Sequence, residues 1–469
     1  MKKMITYIII ALVFLISACQ QPPKKEKSIE IDQNGYAILS DQEVENIVKR
    51  SFQYVAMYNV NNKFAIGQGG WNTLVADTNL KDHTMTEIAR PNNDSFYTTA
   101  LLDLRAEPVI MFLPAFDSKY VSLMVTSYDH YVDVPKATRN GDFKRPEKIL
   151  FYSDRTEDYS GEPVNGVDLI YKTTGDFVSA VLRIMPHANE PERFKKIVET
   201  IKTTKIQTLS EYQGREPITP EQVDFPKTGQ TDLDVFKNNL LEVMQFIFNH
   251  ISFDTSDEED RAVLEAYKPL GIMPGKEFNP EGIKIDGEKF YTVAEKIQQE
   301  YLAKLNDPNL IKEMSPKMFK TKGLTDLETI LTVSIIGPIG LPMEEAMYPN
   351  VTSADGESLN SMNDYVIKMT KDQLPPAGAF WSLTLYDKAN GFFIPNDSKK
   401  YSVGENSGFK LNADGGIEIY VTADKPSNVP EENWLPVNRQ DQEIDIILRI
   451  YVPDMEKMES WKAPVAEKM

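Results

Sequence analysis

The chain carries one cysteine in 469 residues, Cys19, which excludes an internal disulfide, a thiolate metal cluster and a cysteine nucleophile in the folded body. Histidine is almost as scarce. His83, His130, His187 and His250 stand far apart, and no pair has the short spacing of a helical zinc site. No Gly-x-Ser-x-Gly elbow occurs, which argues against a doubly wound serine hydrolase. The glycine-rich stretch Gly67-Gln68-Gly69-Gly70-Trp71-Asn72-Thr73 lacks both phosphate-loop and dinucleotide spacing and reads as a turn. Positive charge is also short: 51 Lys and Arg face 70 Asp and Glu, a formal charge of −19. Such a surface repels nucleic acid and anionic lipid, because phosphate binding needs clustered cations. No cofactor or metal is expected, and any chemistry must come from oxygen and nitrogen groups.

The first residues give an address. Met1-Lys2-Lys3, an apolar run from Ile5 to Ile16, and Ser17-Ala18-Cys19 have the order of a secretory signal, too short to span a bilayer as a helix. Ile16-Ser17-Ala18-Cys19 resembles a bacterial lipoprotein box. The resemblance implies cleavage after residue 18, lipidation of Cys19 and anchoring in the bilayer. Gln20 in place of an aspartate implies the outer membrane. Residues 19–39, with Pro22-Pro23 and several lysines, read as a tether.

The length allows two or three cores. Ser40-Asp41-Gln42-Glu43 opens a helix whose apolar stripe runs through Val44, Ile47, Val48, Phe52, Val55 and Ala56. Strand patterns follow at Ala100–Leu104 and Pro108–Pro114. Two further stretches share a pattern: Tyr120-Val121-Ser122-Leu123 leads to Tyr128-Asp129, and Phe380-Trp381-Ser382-Leu383 leads to Tyr386-Asp387. The second, spanning Ala379–Asp387 and closed by a Gly391 turn, reads as a half-buried hairpin strand. Between these strand-rich ends the spacing turns helical. Phe194 to Ile206, Leu240 to Phe248, Ala262 to Tyr267 and Val293 to Leu305 follow helical periods, and Gly337-Pro338 breaks the apolar run that starts at Leu324. Strands grouped at both ends predict an α+β fold: an N-terminal β-module with its leading helix at 40–190, a helical middle at 191–339, and a C-terminal β-module at 340–469.

A family resemblance supports this division. Asn93-Asp94-Ser95-Phe96-Tyr97, Leu102-Asp103-Leu104 and Tyr120-Val121-Ser122-Leu123 resemble exported bacterial proteins with the domain of unknown function 1254. Phe380–Asp387, Asn396, Tyr401-Ser402, Asn412-Ala413-Asp414-Gly415, Asn433-Trp434-Leu435-Pro436, Leu448-Arg449-Ile450-Tyr451 and Trp461-Lys462-Ala463-Pro464 resemble its usual partner, the domain of unknown function 1214. Lys400 stands where that partner usually has arginine. The resemblance implies two β-sandwich-like modules with a helical insertion, and no agreed chemistry.

Two functional classes follow. Asp94, grouped with Asn93 and Tyr97 at a strand entry, either caps a turn or faces a cleft. In a cleft it could divide acid and base roles with Asp103 or Asp387, as a carboxylate-dependent hydrolase or lyase does. Alternatively the chain is an accessory lipoprotein that binds a glycan or other small polar ligand between its modules. Candidate contacts for that role are Asn93, Tyr97, Tyr386, Asn396, Tyr401, Asn433, Trp434 and Arg449. Asn433 and Trp434 offer either a sugar-stacking platform or a loop closure with an edge plug. Asp129-His130-Tyr131-Val132-Asp133 groups carboxylates with an imidazole, although strand alternation would part Asp129 from His130.

Overall fold

A computed structural model describes residues 29–86, 89–305 and 307–469. Cys19 and the leader lie outside the described residues. Helix α1, Asp41–Gln68, starts at a capping box in which Ser40 and Glu43 satisfy each other's backbone N–H, and it ends at Gly69 in the left-handed conformation (φ 90°). Its stripe of Val44, Ile47, Val48, Phe52 and Val55 is fully buried. Each such side chain contributes roughly 1.5–3 kcal/mol on burial.

The N-terminal module is a sandwich. Strands β1 (Thr73–Asp77), β2 (Phe96–Asp103), β3 (Val109–Leu113), β4 (Val121–Thr126), β5 (Val132–Ala137), β6 (Glu147–Tyr152), β7 (Leu169–Lys172) and β8 (Phe177–Ile184) are followed by helix α2 (Pro191–Ile201) and β9 (Lys205–Thr208). They form a sheet ordered β1-β2-β8-β4-β5 and a second ordered β7-β6-β3-β9. Phe96, Ala100, Leu102, Val121, Leu123, Val178 and Leu182 of the first sheet pack against Val109, Met111, Ile149 and Phe151 of the second. The helical period predicted for Phe194 to Ile206 stops at Ile201. Ile206 is a strand residue opposite Met111, so the sandwich continues past residue 190.

Helices α3 (Asp232–Asn238), α4 (Leu240–His250), α5 (Glu258–Tyr267), α6 (Gly287–Lys304) and α7 (Leu327–Ile336) make the middle layer. Helix α1 packs within it: its stripe shares one core with Phe236, Leu240, Met244, Val263, Phe290 and Leu331. The leading helix thus belongs to the helical layer rather than to the sandwich. Its apolar side meets the helices, while Tyr128 and Phe177 reach into the same core from the first sheet.

The C-terminal module rolls one sheet nearly into a barrel. Its strands are β10 (Ala346–Met347), β11 (Asn350–Ser353), β12 (Tyr365–Met369), β13 (Ala377–Asp387), β14 (Ser402–Gly404), β15 (Ile417–Thr422), β16 (Trp434–Pro436), β17 (Ile444–Pro453) and β18 (Val465–Lys468). The order is β14-β13-β17-β11-β18-β12-β15-β16, with β10 beside β17, and β14 and β16 approach each other again. The fold is therefore α+β, two strand-rich modules with helices between them. Inside the barrel lie Trp381, Leu383, Leu385, Leu448 and Ile450.

Strand β13 is buried on both faces from Ala379 to Tyr386. A half-buried strand would have left Phe380, Ser382, Thr384 and Tyr386 toward solvent. Instead that face lies against the N-terminal module, where Tyr120, Met185, Phe380 and Tyr451 form a small core of their own. The seam between the modules is the setting of the candidate site.

Candidate functional site

Two strand pairs, one from each module, put the same residue types into the seam. In the first sheet Ser122 on β4 is opposite Arg183 on β8, which is itself opposite Tyr97 on β2. In the rolled sheet Ser382 on β13 is opposite Arg449 on β17. The aromatic residues that precede the serines, Tyr120 and Phe380, meet edge-on with ring centroids 6.1 Å apart. Tyr451, stacked on Phe380 at 4.1 Å, also touches Tyr120 at 5.0 Å. The two stretches that share a sequence pattern therefore face each other.

The loop before β2 is fastened across this seam. Arg90 Nη2 bonds Asp445 Oδ2 at 2.6 Å, Tyr386 Oη donates to Pro91 O at 2.6 Å, and Asn92 Nδ2 donates to Tyr451 Oη at 2.7 Å. Asn406 Nδ2 donates to Asp94 O at 2.7 Å. The turn cap in this loop is Asn92, whose Oδ1 accepts the Asp94 N–H at 2.7 Å. That leaves the Asp94 carboxylate free to reach Ser382 Oγ, which donates to it at 2.5 Å. Burial raises the Asp94 pKa, opposed by the charge of Arg449 and the hydroxyls of Ser382 and Ser402.

Arg449 is buried and gives Nη2 to Tyr386 Oη (2.6 Å) and Arg90 O (3.2 Å), while its Nη1 has no acceptor. Arg183 repeats this state from the other side. Its Nη2 reaches Ile339 O at 3.3 Å, its guanidinium lies 5.8 Å from the Tyr97 ring centroid, and its Nη1 is likewise buried without an acceptor. Tyr120 Oη, Ser122 Oγ and Thr384 Oγ1 are buried as well, Tyr120 beside Ser122 and Glu345, and Thr384 beside Tyr386. Tyr120 lies beside Glu345, whose carboxylate pairs with Arg139. Tyr348, between β10 and β11, is 47% exposed. Yet burial pushes its hydroxyl up to about 12 against the pull of Arg183 and Arg449.

Of the residues singled out in the sequence, the structure brings Asp94, Tyr97, Tyr386 and Arg449 to the seam. Asn93 sits in the same fastened loop with its Oδ1 unpartnered. The paired-carboxylate arrangement is not assembled. Asp103 ends β2, seven residues and about 23 Å of strand beyond Phe96, and is held by Arg105 through Nε (2.9 Å) and Nη2 (2.7 Å). Asp387 lies five residues, about 17 Å, beyond Ser382 and caps the hairpin turn through Ala389 N–H and Asn390 Nδ2. Two carboxylates sharing a bond need roughly 5–10 Å between them. Asn396 closes its own loop on Ile394 O and Lys400. Tyr401 is buried against Tyr386 and Phe393, with its hydroxyl on His83 Nδ1 at 2.7 Å. Asn433 is spent on Lys410 and Glu418 backbone, and Trp434 Nε1 donates to Thr422 O at 3.0 Å on an edge strand, which is loop closure with an edge plug. Lys400, with Nζ on Glu431 O, is lowered to about 8 by burial.

The four histidines sit in separate networks. His130 takes a positive φ (69°) and turns Nε2 to Pro338 O, away from Asp129. Asp129 and Asp133, four residues apart, both accept from Thr174 Oγ1. Among the described residues no group of three His, Cys, Asp or Glu side chains is arranged to hold a metal.

Arg183, Tyr120, Ser122, Tyr348, Ser382 and Tyr451 had not been singled out as site residues. A signal for the first was present: Leu182-Arg183-Ile184 and Leu448-Arg449-Ile450 place an arginine inside otherwise apolar strands. A buried cation there needs a partner.

The molecule is thus a two-module protein with a polar seam closed by strands of both modules. Residues 71–208 match the family model "Protein of unknown function (DUF1254)" and residues 344–455 match "Protein of unknown function (DUF1214)", and the chain belongs to this tandem family. It is similar to the crystal structure of the VPA0106 protein from Vibrio parahaemolyticus, at 24% identity and a TM-score of 0.68 over 91% of this chain and 100% of that one, a likeness of fold. A putative uncharacterized protein from Burkholderia cenocepacia aligns over 91% of this chain and 93% of its own with 12% identity and a TM-score of 0.43. No curated protein matches the chain.

Proposed function

We propose that this chain is an exported, lipid-anchored protein that holds a small polar ligand in the seam between its modules. One observation carries the ligand site: two guanidinium nitrogens on facing strands, Arg183 Nη1 and Arg449 Nη1, are buried there with no acceptor, among the hydroxyls of Tyr120, Ser122 and Thr384. Each such group costs about 1–3 kcal/mol if left unsatisfied, so a concentration of them on two facing sheets supports an absent ligand. A glycan or a smaller polar molecule would meet them. The contact set shifts accordingly, from Trp434 and Asn433, which are engaged within their own module, and Tyr401, whose hydroxyl is taken by His83, to Tyr97, Tyr386 and Arg449 with their new neighbours. Asp94, a buried carboxyl on a serine, supplies one proton-bearing group at the seam, which suits hydrogen bonding to the ligand better than two-carboxylate hydrolysis.

The anchor rests on the lipoprotein-like box at Cys19. No helix among the described residues is long and apolar enough to cross a membrane. Two measurements test the reading. Cys19→Ser is expected to move the protein from the membrane fraction to the soluble one; retention there would remove the anchor. Calorimetry of the full chain against a panel of neutral glycans and small polar molecules is expected to give heat that Tyr97→Phe and Tyr451→Phe reduce. No heat from any of them would remove the seam as a ligand site for neutral compounds.

A further inference from the structure

We propose that the ligand of the seam is a small organic carboxylate, its anionic group held between Arg183 of the N-terminal module and Arg449 of the C-terminal module. This rests on the seam being the ligand site and names the chemistry that the site selects.

Neither guanidinium makes an ion pair within 4 Å among the described residues, although both are only 4% exposed. Arg183 and Arg449 spend Nη2 on neutral oxygens, main-chain carbonyls and one phenol, and each keeps Nη1 without an acceptor. An arginine stays charged in any protein setting, so two buried cations stand in one seam. The carboxylates nearby offset them only in part, through Asp94 acting on Arg449. Asp94 is engaged by Ser382, and even when ionised it supplies one negative charge against two positive. Glu345 belongs to Arg139. A buried charge without a counter-ion costs several kcal/mol, and the fold repeats the arrangement in both modules with the same Ser-opposite-Arg register.

The shape of the deficit sets the ligand. Two guanidinium groups with at most one carboxylate charge beside them call for a further negative charge. The chain's overall −19 disfavours polyanions such as sulfated glycans on approach, whereas a monoanion loses less against that field. Guanidinium forks match the planar, two-oxygen geometry of a carboxylate. Ser122, opposite Arg183, and Tyr120 bring further hydroxyls to the same side of the seam. The stacked Phe380 and Tyr451 rings and the Tyr97 ring provide apolar surface for the rest of the molecule. A ligand bound this way touches both modules through one group.

The test is thermal melting and calorimetry of the full chain with sodium acetate and sodium benzoate, against acetamide and benzamide and with chloride added to equal ionic strength. Inorganic phosphate forms a separate arm. The carboxylates are expected to bind at least tenfold tighter than their amides and to raise the melting temperature saturably. Arg183→Gln, which removes the cation with the fewer hydrogen bonds, is expected to abolish that preference, and Arg449→Lys to weaken it at least tenfold. Equal binding of carboxylate and amide, or carboxylate binding that survives both substitutions, would overturn the inference. So would phosphate binding more tightly than every carboxylate through the same arginines, which would assign the forks to tetrahedral oxyanions. If no carboxylate binds while a neutral compound still binds in a Tyr97-dependent way, the carboxylate inference falls and the seam remains a ligand site.

Discussion

Ser382 Oγ donates to Asp94 Oδ2 at 2.5 Å, joining the central strand of the C-terminal module to the loop that enters β2 of the N-terminal one. Because Asp94 is buried and its pKa is raised, the native state holds its proton at pH values where the unfolded chain has lost it. Stability contributed at this site is therefore greatest below the unfolded pKa and declines as pH rises toward the folded one. Asp94→Asn keeps an acceptor for Ser382 without the charge. Its melting temperature is expected to match or exceed that of the parent at pH 7, with a flatter profile above pH 4. Asp94→Ala, which strands the Ser382 hydroxyl, is expected to cost about 1–3 kcal/mol by denaturant titration.

Asp133 gives a second pH dependence. Burial first, then the nearby Asp129 charge, raises its pKa to about 8, and both carboxyls share the Thr174 hydroxyl. From about pH 4 to about pH 8 the native state binds more protons than the unfolded chain, so stability falls across that window. Asp133→Asn is expected to remove much of the fall and to exceed the parent by about 1–3 kcal/mol at pH 8, while at pH 4 the two coincide. Parallel melting curves at the two pH values check it; an unchanged gap would place the raised group elsewhere.

Gly404 lies opposite Ser382 in the β13–β14 pair. A Cβ there would come within 2.6 Å of Ser382 Cβ and 2.7 Å of Trp381 O, neither of which is the end of a flexible chain. Gly404→Ala is expected to destabilise by about 1–3 kcal/mol and to weaken seam ligands by displacing Ser382 from Asp94. Chemical denaturation with calorimetry reads both effects.

Asp103 is held by its own arginine, so Arg105→Ala leaves a carboxylate that is only 5% exposed without its side-chain partner. A loss of about 3 kcal/mol is expected, with seam binding intact. Ligand affinity that fell in step with stability would instead tie Asp103 to the site.

Trp434→Phe keeps an aromatic ring, smaller than the indole, and removes the Nε1 bond to Thr422 O. The expected cost is about 0.5–1.5 kcal/mol, with no change in affinity for any glycan. A specific loss of glycan binding would restore the stacking platform.

Local patterns sufficed for much of the architecture. The capping box at Ser40 and Glu43, the apolar stripe of α1, and the strands read at Ala100–Leu104 and Ala379–Asp387 follow from neighbouring residues and their period, although the first strand starts earlier, at Phe96. Clustering of strands at both ends with helices between them followed from the same periods. Ile206 was misassigned because four strand residues directly after a helix can continue its apolar spacing by chance, and only pairing with Met111 on β3 distinguishes the two.

The candidate site was legible in part. Asp94, Tyr97, Tyr386 and Arg449 could be singled out because polar residues sit at strand entries or within apolar runs. Which of them act together is a matter of distance across the seam, and strand length alone separates Asp94 from Asp103 and Asp387. Composition, the type of each long element and the doubled Ser-Leu and Leu-Arg-Ile patterns were determined by the sequence. Only the tertiary structure decided that the polar faces of β4–β8 and β13–β17 are turned toward each other, because period-two alternation states which residues share a face and not what covers it. Covering both faces removed Arg183 and Arg449 from water, and that burial distinguishes them from ordinary surface cations.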